Sequence, residues 1–256
     1  MIEKAHLEIA DDVSVGDWIR ESLAPWIMFS EIPVTIGIVI PKGFENYVLI
    51  RHVGPGDNHG GLGNENLGRL LKILSKFTIT PEECFHAVWD GQGWMHSGGI
   101  ATYRAVRHPK LHGFFRNSKI SRFFRTISFN IGARRFRKRI RTQDQSLDHL
   151  AWNTLPDGIM KSGRFRLPNR DYLLMRGPLS EATKIGWAFS ESFQPEPPNL
   201  LWPRDRGWIL ANEIDFNVTL IGGSESLVTA ILNSSSLTAE RFNITDAIAQ
   251  LPVADY

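Results

Sequence analysis

The charged residues of this 256-residue chain are sorted along its length, and the sorting limits how the chain can be built. No Asp or Glu lies between Asp90 and Asp144, whereas 13 of the 29 Lys and Arg residues lie between Arg104 and Arg141. The remainder holds 16 basic and 27 acidic residues, so a body of net charge −11 carries a segment of charge +13. Such sorting indicates an anionic partner, or neutralisation of the segment by its own body.

The composition is that of a globular protein, with 42% hydrophobic and 22% charged residues. It excludes collagen-like, low-complexity and wholly disordered chains. The single cysteine, Cys84, excludes a disulfide framework and a Cys-rich zinc site. No apolar run reaches the roughly 20 residues that span a bilayer, and residues 1–4 lack the pattern of a signal peptide. We therefore expect a cytoplasmic protein, and no small-molecule cofactor is evident.

Hydrophobic periodicity predicts both helices and strands. In the first part of the chain the pattern predicts a helix over Val15–Trp26 capped by Ser14, then strands over 34–40 and 45–51 joined by a hairpin or another tight connection. It next predicts a helix marked by Leu67, Leu70, Leu71 and Leu74, and one turn at 80–83 followed by a strand over 84–89.

In the last third, the predicted elements are a strand at Tyr172–Met175, a helix from Ser180 to Phe193, strands at Trp208–Ala211 and Ile214–Ile221, and a helix capped by Ser224 that ends near Ile231. The irregular alternation favours a single α+β domain over residues 1–256. We expect one mixed, mainly antiparallel sheet flanked by helices, with a basic and variable insertion at 95–160.

Glu213 and Asp215 are the sharpest candidates for chemistry. On a strand, two carboxylates at this spacing share one face, and many magnesium-dependent enzymes begin a site in this way. The alternative is a solvated strand face, or carboxylates that pair with Arg204 and Arg206.

The glycine-rich stretch Gly54–Gly63 has two interpretations. Glycine lets backbone N–H groups approach an anion, but the stretch lacks the Gly-Lys-Ser/Thr ending of a phosphate-binding loop. A plain flexible loop is the favoured interpretation. A metal site of His52, Asp57 and His59 is less favoured, because no third ligand lies on a rigid element.

Cys84 and His86 share a face of their predicted strand. That spacing suits a thiol nucleophile and its base. The surrounding run is apolar, where cysteine is more often inert, so we expect a core position instead.

The basic segment has apolar residues at helical spacing between Lys119 and Arg141. An amphipathic basic helix of this kind binds an anionic membrane, nucleic-acid phosphates or an acidic protein. The alternative is an insertion whose Phe and Ile residues pack on the body. The predicted anion-binding residues are Arg122, Arg125, Arg134, Arg135, Arg137, Lys138 and Arg139.

Several stretches form recognisable motifs: PKGFENY at 41–47, TPEECFHAVWDG at 80–91, LPNRDYLLMRGPL at 167–179, and PNLLWPRDRGW at 198–208, followed by EID and GGS. In these motifs the chain resembles a family of uncharacterised bacterial proteins, largely actinobacterial. The resemblance implies one shared fold for 15–91 and 163–235, omits 95–160 and implies no activity. If the family has a site, its candidate residues are Trp202, Arg204, Asp205, Arg206, Trp208, Glu213 and Asp215.

Three functions are consistent with these patterns. The first is a non-enzymatic binding protein of the immunity or adaptor kind, with a protein partner and a charge-sorted docking surface. The second is a metal-dependent hydrolase or nuclease that uses Glu213 and Asp215. The third is a peripheral membrane protein that binds lipid through 119–141.

Overall fold

The computed structural model describes residues 6–25, 34–53, 61–91 and 162–252, apart from 169, 190 and 191. Its strands are β1 (Glu8–Ile9), β2 (Asn46–Arg51), β3 (Cys84–Trp89), β4 (Phe165–Leu167), β5 (Arg170–Gly177), β6 (Gly186–Phe189), β7 (Ser192–Pro195), β8 (Leu200–Pro203), β9 (Ile209–Asn212), β10 (Val218–Gly223) and β11 (Ala239–Arg241). Nine of them form one sheet in the order β1-β5-β3-β8-β9-β10-β2-β11, and β4 also pairs with β5. β6 and β7 form a separate hairpin.

Each strand pair in the described part of the chain is antiparallel, which confirms the predicted α+β class with a mainly antiparallel sheet. Because strand side chains alternate between faces, the sheet has two cores. Trp202, Phe85 and Ile209 lie in one, which we call the Trp202 core. Trp208 lies in the other with Leu201 and Leu210, and we call it the Trp208 core.

Helices cover both faces of the sheet. α1 (Asp17–Ser22) packs Ile19 into the Trp202 core. α2 (Asn64–Leu74) and α3 (Glu225–Leu232) pack against the Trp208 core. The predicted α2 stripe is confirmed, with all four leucines buried. The predicted cap is also confirmed, because the Ser224 side chain accepts a hydrogen bond from the Leu227 N–H at 3.3 Å.

The prediction of a strand over 34–40 is wrong. Ile36–Ile38 form a 3₁₀ helix, and the backbone N–H groups of Ile36 and Gly37 donate to the carbonyls of Asp246 and Ile244 at 2.9 and 3.0 Å. The distant C-terminal residues therefore decide the local backbone. The strand predicted over 45–51 is confirmed as β2, but it pairs with β10 and β11 rather than in a hairpin with 34–40.

The first predicted helix is shorter than expected. The chain enters it through a 3₁₀ turn, Val13–Gly16, capped by Asp12 rather than Ser14, since the Ser14 N–H donates to the Asp12 carboxylate at 2.8 Å. α1 ends before Leu23, whose backbone is extended. A proline two residues later, at position 25, opposes continuation of the helix. The predicted end at Trp26 lies outside the described residues.

The helix predicted from Ser180 to Phe193 is also wrong. A 3₁₀ helix, Leu179–Lys184, is followed by the β6–β7 hairpin. The Glu196 N–H donates to the Ile185 carbonyl at 2.9 Å, so pairing across the hairpin replaces helical bonding. By contrast, the turn before β3 is confirmed, because the Glu83 N–H donates to the Thr80 carbonyl at 3.0 Å.

Two glycines give a matched test of this packing. A Cβ at Gly222 in β10 would lie 2.8 Å from Phe44 and 2.9 Å from Tyr47, whereas a Cβ at Gly68 in α2 meets nothing within 4 Å. We expect Gly222→Ala to lower the free energy of unfolding by about 1–3 kcal/mol, and Gly68→Ala to raise it by up to about 1 kcal/mol. Urea unfolding of both variants measures this, and equal effects of one sign would contradict the packing described.

Candidate functional site

Glu213 and Asp215 lie in the turn between β9 and β10, not on a strand. The Phe216 N–H donates to the Glu213 carbonyl at 3.1 Å, and β10 begins only at Val218. The observed strand therefore begins four residues after the start of the one predicted over 214–221. The expectation that strand alternation places the two carboxylates on one face is wrong. A cation brings them together instead.

That cation is the guanidinium of Arg170 at the start of β5. Its Nη2 donates to Glu213 Oε1 in a close ion pair and lies 3.4 Å from Asp215 Oδ2. The side chains of Arg170 and Glu213 are 18% and 15% exposed, whereas that of Asp215 is 59% exposed. The pair is thus nearly buried, and Asp215 forms its solvent side.

The charges of this cluster shift one another. Burial raises the pKa of Glu213, Arg170 opposes that shift, and Asp215 adds to it. Burial alone would lower the pKa of Arg170, but the Glu213 carboxylate, with Asp215, raises it. The pKa of the Tyr172 hydroxyl is raised, first by burial and then by Glu213.

This geometry disfavours Glu213 and Asp215 as metal ligands. A divalent cation at the two carboxylates would meet the guanidinium, whose like charge opposes it. Among the described residues, no group of three or more His, Cys, Asp and Glu side chains is arranged to hold a metal ion.

Arg170 also marks the place where the basic insertion leaves and rejoins the body. Its guanidinium lies 5.1 Å from the centre of the Trp89 ring. Next to Trp89, Asp90 forms a salt bridge with Arg164 at 3.1 Å, and these side chains are 26% and 12% exposed. The Asp90 N–H donates to the Asp171 carbonyl at 2.8 Å. Residues 91 and 162, which flank the stretch outside the described residues, are therefore held at one end of the sheet.

A buried polar network lies at the same end of the sheet, on the Trp208 side. The Asn212 side-chain amide donates to the Pro198 carbonyl at 2.9 Å, which leaves its Oδ1 to accept the Thr219 hydroxyl at 2.6 Å. Thr219 then accepts from His52 Nε2 at 2.9 Å. The direction of these bonds places the proton of a neutral His52 on Nε2. Since Thr219 is fully buried and donates to Asn212, its hydroxyl orients the imidazole and does not serve as a nucleophile.

Sequence reasoning missed this network, although it named His52. Thr219 and Asn212 are polar residues inside otherwise apolar strands, and buried polar groups require partners. That contrast is the signal that predicts it. Asp57 and His59, considered with His52 as metal ligands, lie outside the described residues, as do 54–60 of the glycine-rich stretch.

The remaining motif residues lie elsewhere. Trp202 and Trp208 are buried in opposite cores, where Trp202 stacks on Phe85 at 5.5 Å and Trp208 Nε1 donates to the Leu74 carbonyl at 3.1 Å. Arg204 forms a surface salt bridge with Glu83 at 2.8 Å. None of these three contacts either carboxylate of the Arg170 cluster.

Asp205 links two loops at the end of the sheet that is opposite to the Arg170 cluster. Its carboxylate accepts the Thr78 hydroxyl at 2.8 Å, the Ile79 N–H at 2.6 Å and the Gly207 N–H at 3.0 Å. Arg206 has a φ of 55°, and its guanidinium lies 5.3 Å from the Trp18 ring. The length of β9, about 13 Å, separates this loop from Glu213. The seven motif residues thus form two separate groups rather than one site.

Cys84 and His86 lie in the sheet interior, and both are completely buried. Burial raises the pKa of the Cys84 thiol to about 12 and lowers that of His86 to about 4. The expected core position is therefore what the structure shows, and a thiolate nucleophile is strongly disfavoured at neutral pH.

The seven basic residues predicted to bind anions lie outside the described residues. Within the described ranges, no helix is long and apolar enough to cross a membrane. No family model matches the chain, and no curated protein or solved structure matches it either. The resemblance to an actinobacterial family therefore stays a prediction.

Replacing Arg170 tests the ion pair. Arg170→Met leaves the Glu213 carboxylate nearly buried without its cation, so we expect a loss of about 3 kcal/mol in the free energy of unfolding. Arg166→Met is the matched control, because Arg166 pairs with Asp171 at 3.9 Å with its side chain 75% exposed. It should cost less than about 1 kcal/mol. Equal losses in urea unfolding at neutral pH would show that Glu213 does not depend on Arg170.

His86 makes the stability of the protein depend on pH. Burial lowers its folded pKa to about 4, whereas an unfolded histidine has a pKa of about 6.5, so unfolding takes up a proton between these values. The contribution of neutral His86 to the free energy of unfolding should be complete above pH 6.5. It should fall by about 3 kcal/mol as the pH drops towards 4. Urea unfolding at pH 7, 6 and 5 measures this loss. His86→Leu should lose this part of the pH dependence, and parallel pH profiles of the two proteins would exclude the assignment.

Proposed function

We propose that this protein is a non-enzymatic binding protein, of the immunity or adaptor kind, that docks on an anionic macromolecule through its basic segment. The observation that carries the proposal is the charge sorting, +13 in residues 104–141 against −11 elsewhere. Segments with this charge bind phosphates or acidic surfaces over long range. The single cysteine agrees with a reducing compartment, and the cytoplasm is the setting we propose.

The described body supports this function by the way in which it holds the segment. The Asp90–Arg164 salt bridge and the Asp90–Asp171 hydrogen bond join the strands on either side of residues 92–161. A surface carried between two fixed points loses less freedom on binding than a free tail does. An acidic body also disfavours binding of the partner anywhere but at the basic segment.

The contacts of the candidate catalytic residues support binding over catalysis. Glu213 is engaged by Arg170, Asp205 is engaged by backbone and hydroxyl donors, and Cys84 is buried. The hydrolase hypothesis requires Glu213 and Asp215 to exchange Arg170 for a metal ion, a step that separates a nearly buried ion pair.

Matched charge variants test the proposal. We expect R135Q/R137Q/R139Q to weaken binding at least about tenfold at low salt and to reduce the slope of log affinity against log salt by up to about 3. The control is K42Q/K72Q/K76Q, which removes the same charge from exposed body lysines and should change affinity less than about twofold. The probes are labelled duplex and single-stranded nucleic acid, phosphatidylserine vesicles and polyglutamate, each at two salt concentrations.

The probe that binds identifies the class of partner: nucleic acid, a lipid surface or an acidic protein. Deletion of 110–142 should abolish that binding without lowering the melting temperature of the body. Absence of salt-sensitive binding to every probe, or equal losses in the two triple variants, would refute the proposal.

A further inference from the structure

His86 is a buried side chain whose two ring nitrogens complete no hydrogen bond with a described residue. The residue is 0% exposed, and within the described part of the chain neither Nδ1 nor Nε2 makes a hydrogen bond. The carbonyl groups of Gly177 and Pro178 lie near enough to favour a protonated ring, but they do not complete a bond. An unpaired buried polar group is costly, so it requires an explanation, and a bound ion is one that the surrounding side chains can test.

Two sulfur atoms share the surroundings of this imidazole. Cys84 precedes His86 by two residues on β3, and both point towards the Trp208 side of the sheet, about 7 Å apart along the strand. Met175 of β5 pairs directly with His86 across the sheet, where side chains lie about 5 Å apart. Both sulfur residues are 0% exposed.

The geometry points to a site for a soft monovalent metal ion, Cu(I), formed by Cys84, His86 and Met175. A thiolate, a thioether and a neutral imidazole are the donors that such an ion prefers, and two or three of them satisfy it. Zn²⁺ takes four ligands and seldom uses a thioether, so it finds only two suitable donors here. The same reasoning excludes Mg²⁺ and Ca²⁺, which require oxygen.

Binding replaces the proton of the thiol, which leaves to solvent, and involves no change of oxidation state. The ion would reach the thiol from the end of the sheet, because Cys84 is the first residue of β3 and its Sγ lies 3.6 Å from the Pro81 carbonyl oxygen of the preceding turn. Glu82 in that turn is exposed and gives it negative charge that attracts a cation, whereas Glu83 is paired with Arg204. The route requires local opening of this turn and no rearrangement of the sheet.

The test is a titration of the full-length protein with Cu(I), without oxygen and against a coloured Cu(I) chelator, with Ag(I) as an analogue that does not oxidise. We expect one equivalent to bind and to raise the melting temperature. Cys84→Ala should lower the affinity at least about 100-fold, and Met175→Leu, which conserves volume, about tenfold. His6→Ala is the control, because His6 is an exposed histidine on the far side of β5 from β3, and it should leave the affinity unchanged.

X-ray absorption of the copper-loaded wild-type protein provides a test that does not depend on whether the variants fold. Sulfur and imidazole nitrogen together in the first coordination shell, with no binding of Zn²⁺ at equal concentration, would support the site. Retention of all copper by the chelator would overturn it. So would equal affinity in Cys84→Ala, or a shell that contains sulfur without nitrogen.

Discussion

Two buried asparagines hold together the end of the sheet on which the Arg170 cluster lies. Asn199 donates its backbone N–H to the Ala87 carbonyl and accepts the Trp89 N–H on its side chain, both at 2.8 Å. The Asn212 N–H donates to the Asn199 carbonyl at 2.7 Å. Through these bonds the asparagines connect β3 with β9, and through Thr219 and His52 the network extends to β10 and β2. Because both are buried, each lost partner would leave a polar group unsatisfied in the interior.

The position of Asn212 also decides what Glu213 can do. Once Asn212 is held inside the sheet, the chain turns directly after it and directs Glu213 towards the Trp202 side, where Arg170 lies over Trp89. A nearly buried carboxylate tolerates its charge there only because a guanidinium is close. The same ion pair that makes the turn stable therefore removes the carboxylate from metal chemistry. This is why we propose binding rather than hydrolysis, although the residues themselves are typical of either.

The sequence predictions are correct where neighbouring residues determine the structure, and wrong where contacts between distant residues determine it. The α2 leucines and the Ser224 cap are defined by residues within one or two helical turns, and both are confirmed. The strand over 34–40 is wrong because its apolar, β-branched pattern is common to any buried segment, while carbonyls of residues 244 and 246 determine its hydrogen bonds. The helix over 180–193 is wrong for a related reason, because residues 186–189 and 192–195 pair as a hairpin, which their own apolar pattern does not specify. For Glu213 and Asp215 the residues were identified, but their shared partner was not.

The sequence alone determined the α+β class, the two main helices, the buried strands and the division into an acidic body and a basic segment, because periodicity and charge are properties of neighbouring residues. The tertiary structure decided the order of the strands, the separation of the motif residues into two groups and the partner of each carboxylate. Arg170 and Glu213 are 43 residues apart in the chain, and His86 and Met175 meet only because β3 and β5 are neighbours in the sheet. Contacts of this kind depend on which strands pair, and pairing is settled by the burial of the whole sheet rather than by any one segment.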